Sequence, residues 1–288
     1  MKSTLTICDV SFCLDETPNA WRDFAQKHYG QFFDSQARCK VKLIGQPVRD
    51  FVSPILERVR ARARSTAPFL CDLDLASGMQ ASLLPDNENH YLCTFQEYLD
   101  PKMSLENFIR VFLTHYLPCN ETGLMLHGSC GIRDNQGIIF TGVSTAGKTT
   151  LSEDFRETLY LSDDISIVEF VENQAFLKPH PFHGKSERLQ VKADAPLAAI
   201  CILGKKSDRT VVRKLKKEEA YQMLPRHIVT YAHSSFVTEK ILNVLDRLLL
   251  ETPVFYIERN LNDVAADELV LDVLEKALPS ISSSLKVA

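Results

Sequence analysis

The sequence predicts an α/β fold in which a mixed sheet forms the core of the larger, C-terminal part and a smaller α/β domain precedes it. Three observations predict this class. A continuous apolar run at 197–203 is typical of a strand buried inside a sheet. An apolar strand at 137–141 leads into a glycine-containing turn and then into a helix predicted at 149–157. Around this turn the predicted strands outnumber the helices, which favours a mixed sheet over a doubly wound parallel one.

Residues 1–103 are predicted to form the smaller N-terminal α/β domain. Alternation of apolar and polar residues predicts strands at 39–44, 69–75 and 90–95. Helical spacing of apolar residues predicts helices at 21–33 and 54–64. No motif in this domain carries recognisable chemistry, so the sequence leaves open whether it binds a substrate, packs on the second domain or mediates self-association.

Residues 104–288 are predicted to form the second domain, which begins with an amphipathic helix at 104–118. Ser104 is its predicted N-cap and Pro118 marks its exit. Strands are expected at 124–127, 159–162, 165–170 and 253–257, and further helices at 218–224, 239–250 and 265–278.

Composition and charge exclude several classes of function. Of 288 residues, 45% are hydrophobic and 24% are charged, which is ordinary for a globular protein. The net charge of −4 gives no reason to expect a nucleic-acid partner, which would favour a basic face. No apolar stretch approaches the roughly eighteen residues of a membrane span, so no membrane partner is expected. The eight cysteines are scattered without a Cys-x-x-Cys pair and the first residues are too polar for a signal peptide, which predicts a cytoplasmic location.

The segment Gly142–Thr149 reads Gly-Val-Ser-Thr-Ala-Gly-Lys-Thr, which is a complete phosphate-binding P-loop. Its glycines permit a tight backbone path that points N–H groups at phosphate oxygens, Lys148 supplies a positive charge, and the Thr149 hydroxyl can bind Mg²⁺. The expected cofactors are therefore ATP and Mg²⁺, although a loop that contacts only phosphates leaves GTP or pyrophosphate open as donors. The predicted cofactor-binding residues are Gly142, Ser144, Thr145, Ala146, Gly147, Lys148, Thr149 and Thr150.

Two further polar groups lie at the ends of neighbouring predicted strands. Asp163 and Asp164 follow a short strand soon after the P-loop, and ligands gather at one edge of such sheets. His127 ends the apolar strand that precedes the P-loop strand by one hairpin. Adjacent strand residues point to opposite faces, so a turn must begin at the acid pair if both carboxylates act at one site.

The chain resembles the HPr kinase/phosphorylase family in the order and spacing of four motifs. They are the His127-Gly128 pair, a glycine-containing hairpin at 134–137, the P-loop and Asp163-Asp164. The resemblance covers residues 122–205, and extends more distantly to ATP-dependent phosphoenolpyruvate carboxykinases. It is closer to stand-alone HPr-kinase-like peptide kinases such as the lasso-peptide kinases, which carry a segment like Pro181–Gly184. Ala146 stands where the family usually has Gly, and the family's Pro- and Arg-rich segment is not recognisable. The phosphorylase half-reaction and a homo-oligomeric state therefore stay open.

The resemblance implies a catalytic set of Asp163, Asp164, His127 and Lys148. It makes Asp163 the base for an acceptor hydroxyl and Asp164 a metal ligand together with Thr149. His127 would orient the base or the phosphate. Four basic side chains in the segment after 178, those of His180, His183, Lys185 and Arg188, could contact a phosphate or the acceptor. His183 and Lys185 are the predicted contacts because they flank Gly184 in the family-like segment.

These observations support two enzyme hypotheses and one binding hypothesis. The leading hypothesis is an ATP-dependent kinase that transfers the γ-phosphate to a hydroxyl, Ser of a peptide or protein being the expected acceptor. A kinase for a small metabolite such as free serine is the second hypothesis. The third is a nucleotide-dependent peptide-binding module without catalysis.

Overall fold

The computed structural model describes residues 4–33, 39–47, 71–74, 80–87, 90–97, 102–143, 148, 159–182, 192–231 and 235–260. The chain divides into two compact units, Met1–Glu121 with Thr230–Ile241 and Thr122–Val229 with Leu242–Ala288. Fourteen strands lie in the described residues: β1 Thr4–Ile7, β2 Val10–Glu16, β3 Cys39–Pro47, β4 Cys71–Asp74, β5 Gln80–Asn87, β6 His90–Glu97, β7 Gly123–Arg133, β8 Gln136–Gly142, β9 Leu159–Ser162, β10 Ile165–Val171, β11 Gln174–Lys178, β12 Ala195–Lys206, β13 Val211–Lys214 and β14 Val254–Arg259. The α-helices of the same residues are α1 Asn19–Tyr29, α2 Asn107–Cys119, α3 Lys217–Met223 and α4 Ser235–Glu251.

The first unit contains a six-stranded mixed sheet in the order β1-β2-β3-β6-β5-β4. The pairs β2–β3 and β3–β6 are parallel and the other neighbours are antiparallel. The predicted strands at 39–44, 69–75 and 90–95 are confirmed as β3, β4 and β6. The helix predicted at 21–33 is confirmed as α1 with a following 3-10 turn, Gly30–Phe32. The helix predicted at 54–64 lies outside the described residues.

Helix α2 begins differently from the prediction. A π-helical turn, Lys102–Glu106, precedes it, so Ser104 lies inside helical structure and the N-cap prediction is wrong. The helix also continues through Pro118 to Cys119, because a proline in the last turn forfeits only one backbone hydrogen bond there. The ring of Phe12 on β2 packs edge-on against Phe112 of this helix at 5.5 Å between centroids, deep in the core of the first unit.

The second unit contains an eight-stranded sheet, and its mixed character agrees with the predicted fold class. The order is β11-β10-β7-β8-β12-β14-β13, and β9 pairs with β7 as well. Strands β8, β12 and β14 are parallel neighbours, whereas the other pairs are antiparallel. Strand β11 at the end of this order also pairs with β12, so the strands β11, β10, β7, β8 and β12 form a closed set of pairings. The predicted strands at 197–203 and 253–257 are confirmed as β12 and β14.

The predicted hairpin before the P-loop connects β7 and β8. Its two turn residues, Asp134 and Asn135, both have positive φ, at 49° and 62°. Asn and Asp tolerate this left-handed conformation, and a two-residue turn of this kind matches the twist of the strands it joins. The turn places the end of β8 directly beside the middle of β7.

Strand β7 has two halves with different neighbours, and this arrangement positions the site. Its first half pairs with β10, and its second half pairs with β8 on one side and β9 on the other. Gly128 lies where the halves meet, and a Cβ atom there would come within 2.6 Å of the Phe140 carbonyl oxygen. Only glycine allows this close approach, which brings the end of β8 next to the β9–β10 bend.

Two more predicted helices are confirmed, because 218–224 corresponds to α3 and 239–250 to α4. A 3-10 turn, Leu224–His227, follows α3 directly. The helices predicted at 149–157 and 265–278 lie outside the described residues. None of the described helices is long and apolar enough to cross a membrane.

Candidate functional site

The carboxyl end of β8 carries the described part of the P-loop. Gly142 is the last residue of the strand and has a φ of +148°. A Cβ atom there would lie 2.5 Å from the Leu203 carbonyl oxygen of β12, so both the backbone conformation and the packing require glycine. The P-loop therefore leaves the sheet at its parallel centre, the usual place for ligands in open α/β sheets.

The Lys148 ammonium folds back onto the start of its own loop. Its Nζ donates to the carbonyl oxygens of Gly142 at 3.0 Å and Val143 at 3.1 Å. Its backbone carbonyl accepts a hydrogen bond of 3.0 Å from the buried Ser129 hydroxyl on β7. The main chain at Lys148 is thus fixed to the sheet, while its ammonium group lies beside the carbonyl oxygens of the first two residues of the loop.

His127 lies at the end of the first half of β7, and its side chain is 49% exposed. Its carbonyl oxygen accepts a hydrogen bond of 2.6 Å from the buried Thr141 hydroxyl of β8. Its Nδ1 atom lies 3.4 Å from an Oδ1 atom of Asp164. The strand therefore holds the His127 backbone rigidly while leaving the imidazole in contact with solvent.

The two carboxylates occupy a bend between β9 and β10, as the turn argument requires. The Gly128 N–H donates to the Asp164 carbonyl oxygen at 2.9 Å, which fixes the bend against β7. The Ser162 hydroxyl accepts from the Asp164 N–H at 3.4 Å. Both carboxylates are partly exposed, and Asp163 lies close enough to Cys130 to help raise the pKa of that thiol.

Lys148 and Asp164 act on each other electrostatically. Burial lowers the pKa of the Lys148 ammonium, and the negative charge of Asp164 opposes that shift. His127, Lys148 and Asp164 therefore form one open cluster of charged and titratable groups at the end of β8, which we call the strand-edge cluster. Its mixed charges and partial exposure suit a site that exchanges hydrogen bonds with an incoming anion.

His227 is a member of this neighbourhood that sequence reasoning missed. It ends the 3-10 turn after α3, it is 8% exposed, and the charges of Lys148 and His127 both act on it. The Val229 N–H donates to the Met125 carbonyl oxygen at 2.8 Å, which ties the turn to β7. No motif marks His227, because a pairing that is remote in sequence brings it to the site.

Two residues near the site have structural roles. Burial raises the pKa of the Cys130 thiol to about 12, so this residue is an inert core side chain. The buried His180 ring accepts from the Phe182 N–H at its Nδ1 and lies 2.8 Å from the Ile165 carbonyl oxygen at its Nε2. Since a carbonyl can only accept, Nε2 carries the proton and both ring nitrogens are used. His180 is therefore a structural anchor for the chain after β11.

Several predicted site residues lie outside the described residues. They are Ser144, Thr145, Ala146, Gly147, Thr149 and Thr150 of the P-loop, together with His183 and Lys185. Their assignments stay predictions. Of the predicted set, the structure brings together Gly142, Lys148, His127 and Asp164, with Asp163 in the same bend.

Comparisons with known proteins give a weak structural likeness. No family model matches the chain, and no curated protein matches it either. Among solved structures, the HPr(Ser) kinase/phosphatase from Coxiella burnetii is similar at 15% sequence identity and a TM-score of 0.33. The match covers 53% of this chain and 97% of that chain. A likeness of this degree carries no argument about function, so the chemistry of the site rests on its own residues.

Proposed function

We propose that this chain is an ATP-dependent phosphotransferase that moves the γ-phosphate to a hydroxyl group, with Ser of a peptide or protein as the acceptor. One observation carries the proposal. The P-loop lysine, a histidine and a carboxylate, which are distant in sequence, lie together at the end of β8, with His127 3.4 Å from Asp164. Phosphoryl transfer requires a fixed cation for the phosphates and a carboxylate for the metal or the acceptor proton.

Lys148 would bind the outer phosphates. In the free protein its Nζ donates to two carbonyl oxygens of its own loop, and a polyphosphate would offer it stronger, charged acceptors in the same place. The backbone N–H groups of 142–149 would cradle the β- and γ-phosphates. The exchange of partners requires movement of only the flexible lysine side chain, because Ser129 fixes its backbone.

The two aspartates would divide the remaining chemistry. The acceptor hydroxyl oxygen attacks the γ-phosphorus, the bond to the β–γ bridging oxygen breaks, ADP leaves, and the hydroxyl proton passes to a carboxylate. We assign Asp163 as that base and Asp164 to the metal side, where its coupling to Lys148 supports a position beside the phosphates. The contact between His127 and Asp164 supports a second candidate assignment, in which Asp164 is the base oriented by His127 and Asp163 lies on the metal side.

Mg²⁺ suits this site. In kinase sites Mg²⁺ is usually held by one or two carboxylates together with substrate phosphates, and it neutralises charge that develops during transfer. Asp164 offers a carboxylate whose side chain is 35% exposed, and the Thr149 hydroxyl is the second proposed ligand. Within the described residues no three His, Cys, Asp or Glu side chains form a metal cage.

We retain His183 and Lys185 as proposed contacts to the acceptor or to the transferred phosphate. The chain is anchored up to Phe182 by the two hydrogen bonds of His180, one of them to the residue that follows Asp164. His183 is therefore one residue beyond an anchored position next to the acid pair. The anchored position of the preceding residues is the support for proposing His183 as a contact, and Lys185 follows it by two residues in the sequence.

Intact-mass spectrometry of acceptors tests the proposal. Candidate peptides from the gene's neighbourhood and free serine are incubated with ATP, Mg²⁺ and the protein. The expected result is a gain of one phosphate on a peptide, lost in Lys148→Ala and in Asp163→Asn. Phosphorylation of free serine alone would replace the peptide acceptor with a small metabolite.

Two surface variants of the first unit provide matched controls. Lys27→Ala and Asp23→Asn remove the same charges from exposed positions on α1. Both should transfer phosphate like the wild type. If no acceptor gains phosphate while nucleotide and peptide still bind, the chain is a binding module and the kinase proposal is wrong.

A further inference from the structure

His227 is held in place by the backbone on both sides of the 3-10 turn that it ends. The turn follows α3 without a break, and Ile228 bridges to Leu126 on β7. The Val229 N–H then donates to Met125 on the same strand. These bonds fix His227 beside the half of β7 that ends at His127.

Burial and three neighbouring groups together lower the pKa of His227. Lys148 from the P-loop, His127 from β7 and Arg226 from its own turn all disfavour its protonated form. Burial is the largest cause, and together these effects lower the pKa of His227 to about 4. The ring is therefore neutral at pH 7, and one nitrogen is a hydrogen-bond acceptor in a positive field.

His115 provides an internal comparison. It is also buried, on α2 in the first unit, and its pKa is lowered too. Burial is the one cause of that shift, without any contribution from a neighbouring charge. A buried histidine of this chain thus need not face cations, so the surroundings of His227 belong to the strand-edge cluster.

We propose that His227 is a positioning residue of the phosphate site: the pairing of Ile228 with Leu126 and of Val229 with Met125 sets it across from His127, where its ring limits the movement of the His127 and Lys148 side chains beside the bound phosphates. This inference rests on the proposed function, because it concerns the same site. A cation needs a neighbour that limits its side chain without cancelling its charge, and a neutral imidazole meets both needs where a carboxylate would not.

The same geometry links phosphate binding to a proton. A bound polyphosphate would offset the positive charges around His227 and raise its pKa above the value of about 4 in the free protein, while burial continues to oppose protonation. Between the two pKa values, the complex would then hold more protons than the free protein. Binding should therefore take up protons in this range and strengthen as the pH falls.

Calorimetric titration with Mg²⁺-ADP and with pyrophosphate tests the positioning role. His227→Phe keeps an aromatic ring but loses both nitrogens, and should weaken binding about tenfold. His227→Asn restores a polar group, and should bind within about threefold of the wild type. His115→Phe, the matched control, should bind like the wild type whatever it does to the melting temperature.

Titrations in two buffers of different ionisation enthalpy measure the proton uptake directly, and they need only the wild type and His227→Asn. Uptake near pH 5.5 should be greater in the wild type than in the variant, which keeps His127 but lacks His227. Equal uptake in both proteins, or equal affinity of folded His227→Phe and His115→Phe, would overturn the inference while leaving the kinase proposal intact. A wild-type protein that binds neither ligand would refute both.

Discussion

Two clusters of charged side chains, one in each compact unit, use similar groups to opposite effect. In the first unit, the Glu106 carboxylate accepts from the Tyr29 hydroxyl at 2.8 Å on one oxygen and from the Arg110 guanidinium on the other. Glu106 is 5% exposed. In the strand-edge cluster of the second unit, Asp164 and His127 are much more exposed and their closest atoms are 3.4 Å apart.

This difference in burial and in hydrogen-bond partners distinguishes a cluster that stabilises the fold from a candidate ligand-binding site. Each carboxylate oxygen of the buried Glu106 has a hydrogen-bond partner from the same unit, so these contacts contribute to folding. Asp164 is about a third exposed, and the Lys148 ammonium donates to neutral carbonyl oxygens. A charged side chain whose hydrogen-bond partners a ligand can replace is available for chemistry. A buried side chain whose hydrogen-bonding atoms already have partners is not.

Replacing the carboxylate of the second cluster should give the largest effect. Asp164→Asn should lower phosphate transfer about 100- to 1,000-fold, because a charge that stabilises the transition state is removed. Its melting temperature should stay close to that of the wild type, since the side chain is partly solvated. Steady-state assays and thermal denaturation measure both, and a large fall in melting temperature with normal turnover per folded molecule would contradict the comparison.

Replacing the carboxylate of the first cluster should give the converse result. Glu106→Gln leaves the mostly buried Arg110 charge without its counter-ion and should lower the free energy of unfolding by about 3 kcal/mol. Transfer below the melting temperature should be unchanged. Urea denaturation gives the first quantity, and an activity loss in the folded variant would show that this cluster also serves the reaction.

Acid should destabilise the protein through His227. Its folded-state pKa of about 4 lies below the unfolded value near 6.5, so the unfolded chain binds more protons between these values. The free energy of unfolding should therefore fall as the pH drops from about 6.5 to 4. His227→Asn removes this contribution, and its melting temperature should vary less across that window. Parallel curves for the two proteins would refute the assignment.

A smaller effect is expected at Tyr29. Tyr29→Phe removes one hydrogen bond to Glu106 but leaves the Arg110 pair, and should cost about 1.5 kcal/mol of unfolding free energy. Activity should be unchanged. A double-mutant cycle with Glu106→Gln measures the coupling, and complete additivity would mean that the two side chains do not share one network.

The sequence predicted much of the second unit because its signals are local. The β7–β8 hairpin follows from Asp134-Asn135, the buried strand β12 from its apolar run, and the bend from the need to bring two adjacent carboxylates to one site. Ser104 was assigned wrongly, because a polar residue inside a π-helical turn looks like a cap. A preference at one residue cannot show that the helix has already begun.

The rest of the site depends on pairings that leave no local pattern. The register of Ile165 with His127 brings the acid bend beside the histidine, and the bridge from Ile228 to Leu126 brings His227 there too. Both contacts join segments far apart in the chain. Motifs identified the P-loop and the carboxylates, whereas only the folded sheet identifies the neighbours that set their charges.

Nuclear magnetic resonance of the histidine rings tests the central claim most directly, which is that polyphosphate binds at the strand-edge cluster and not elsewhere. The ring signals of His127, His227 and His115 are assigned from single substitutions and followed while pyrophosphate and then Mg²⁺-ADP are added. The account predicts saturable shifts for His127 and His227 and none for His115. Saturable binding that leaves the first two signals unmoved, or moves His115 equally, would contradict it.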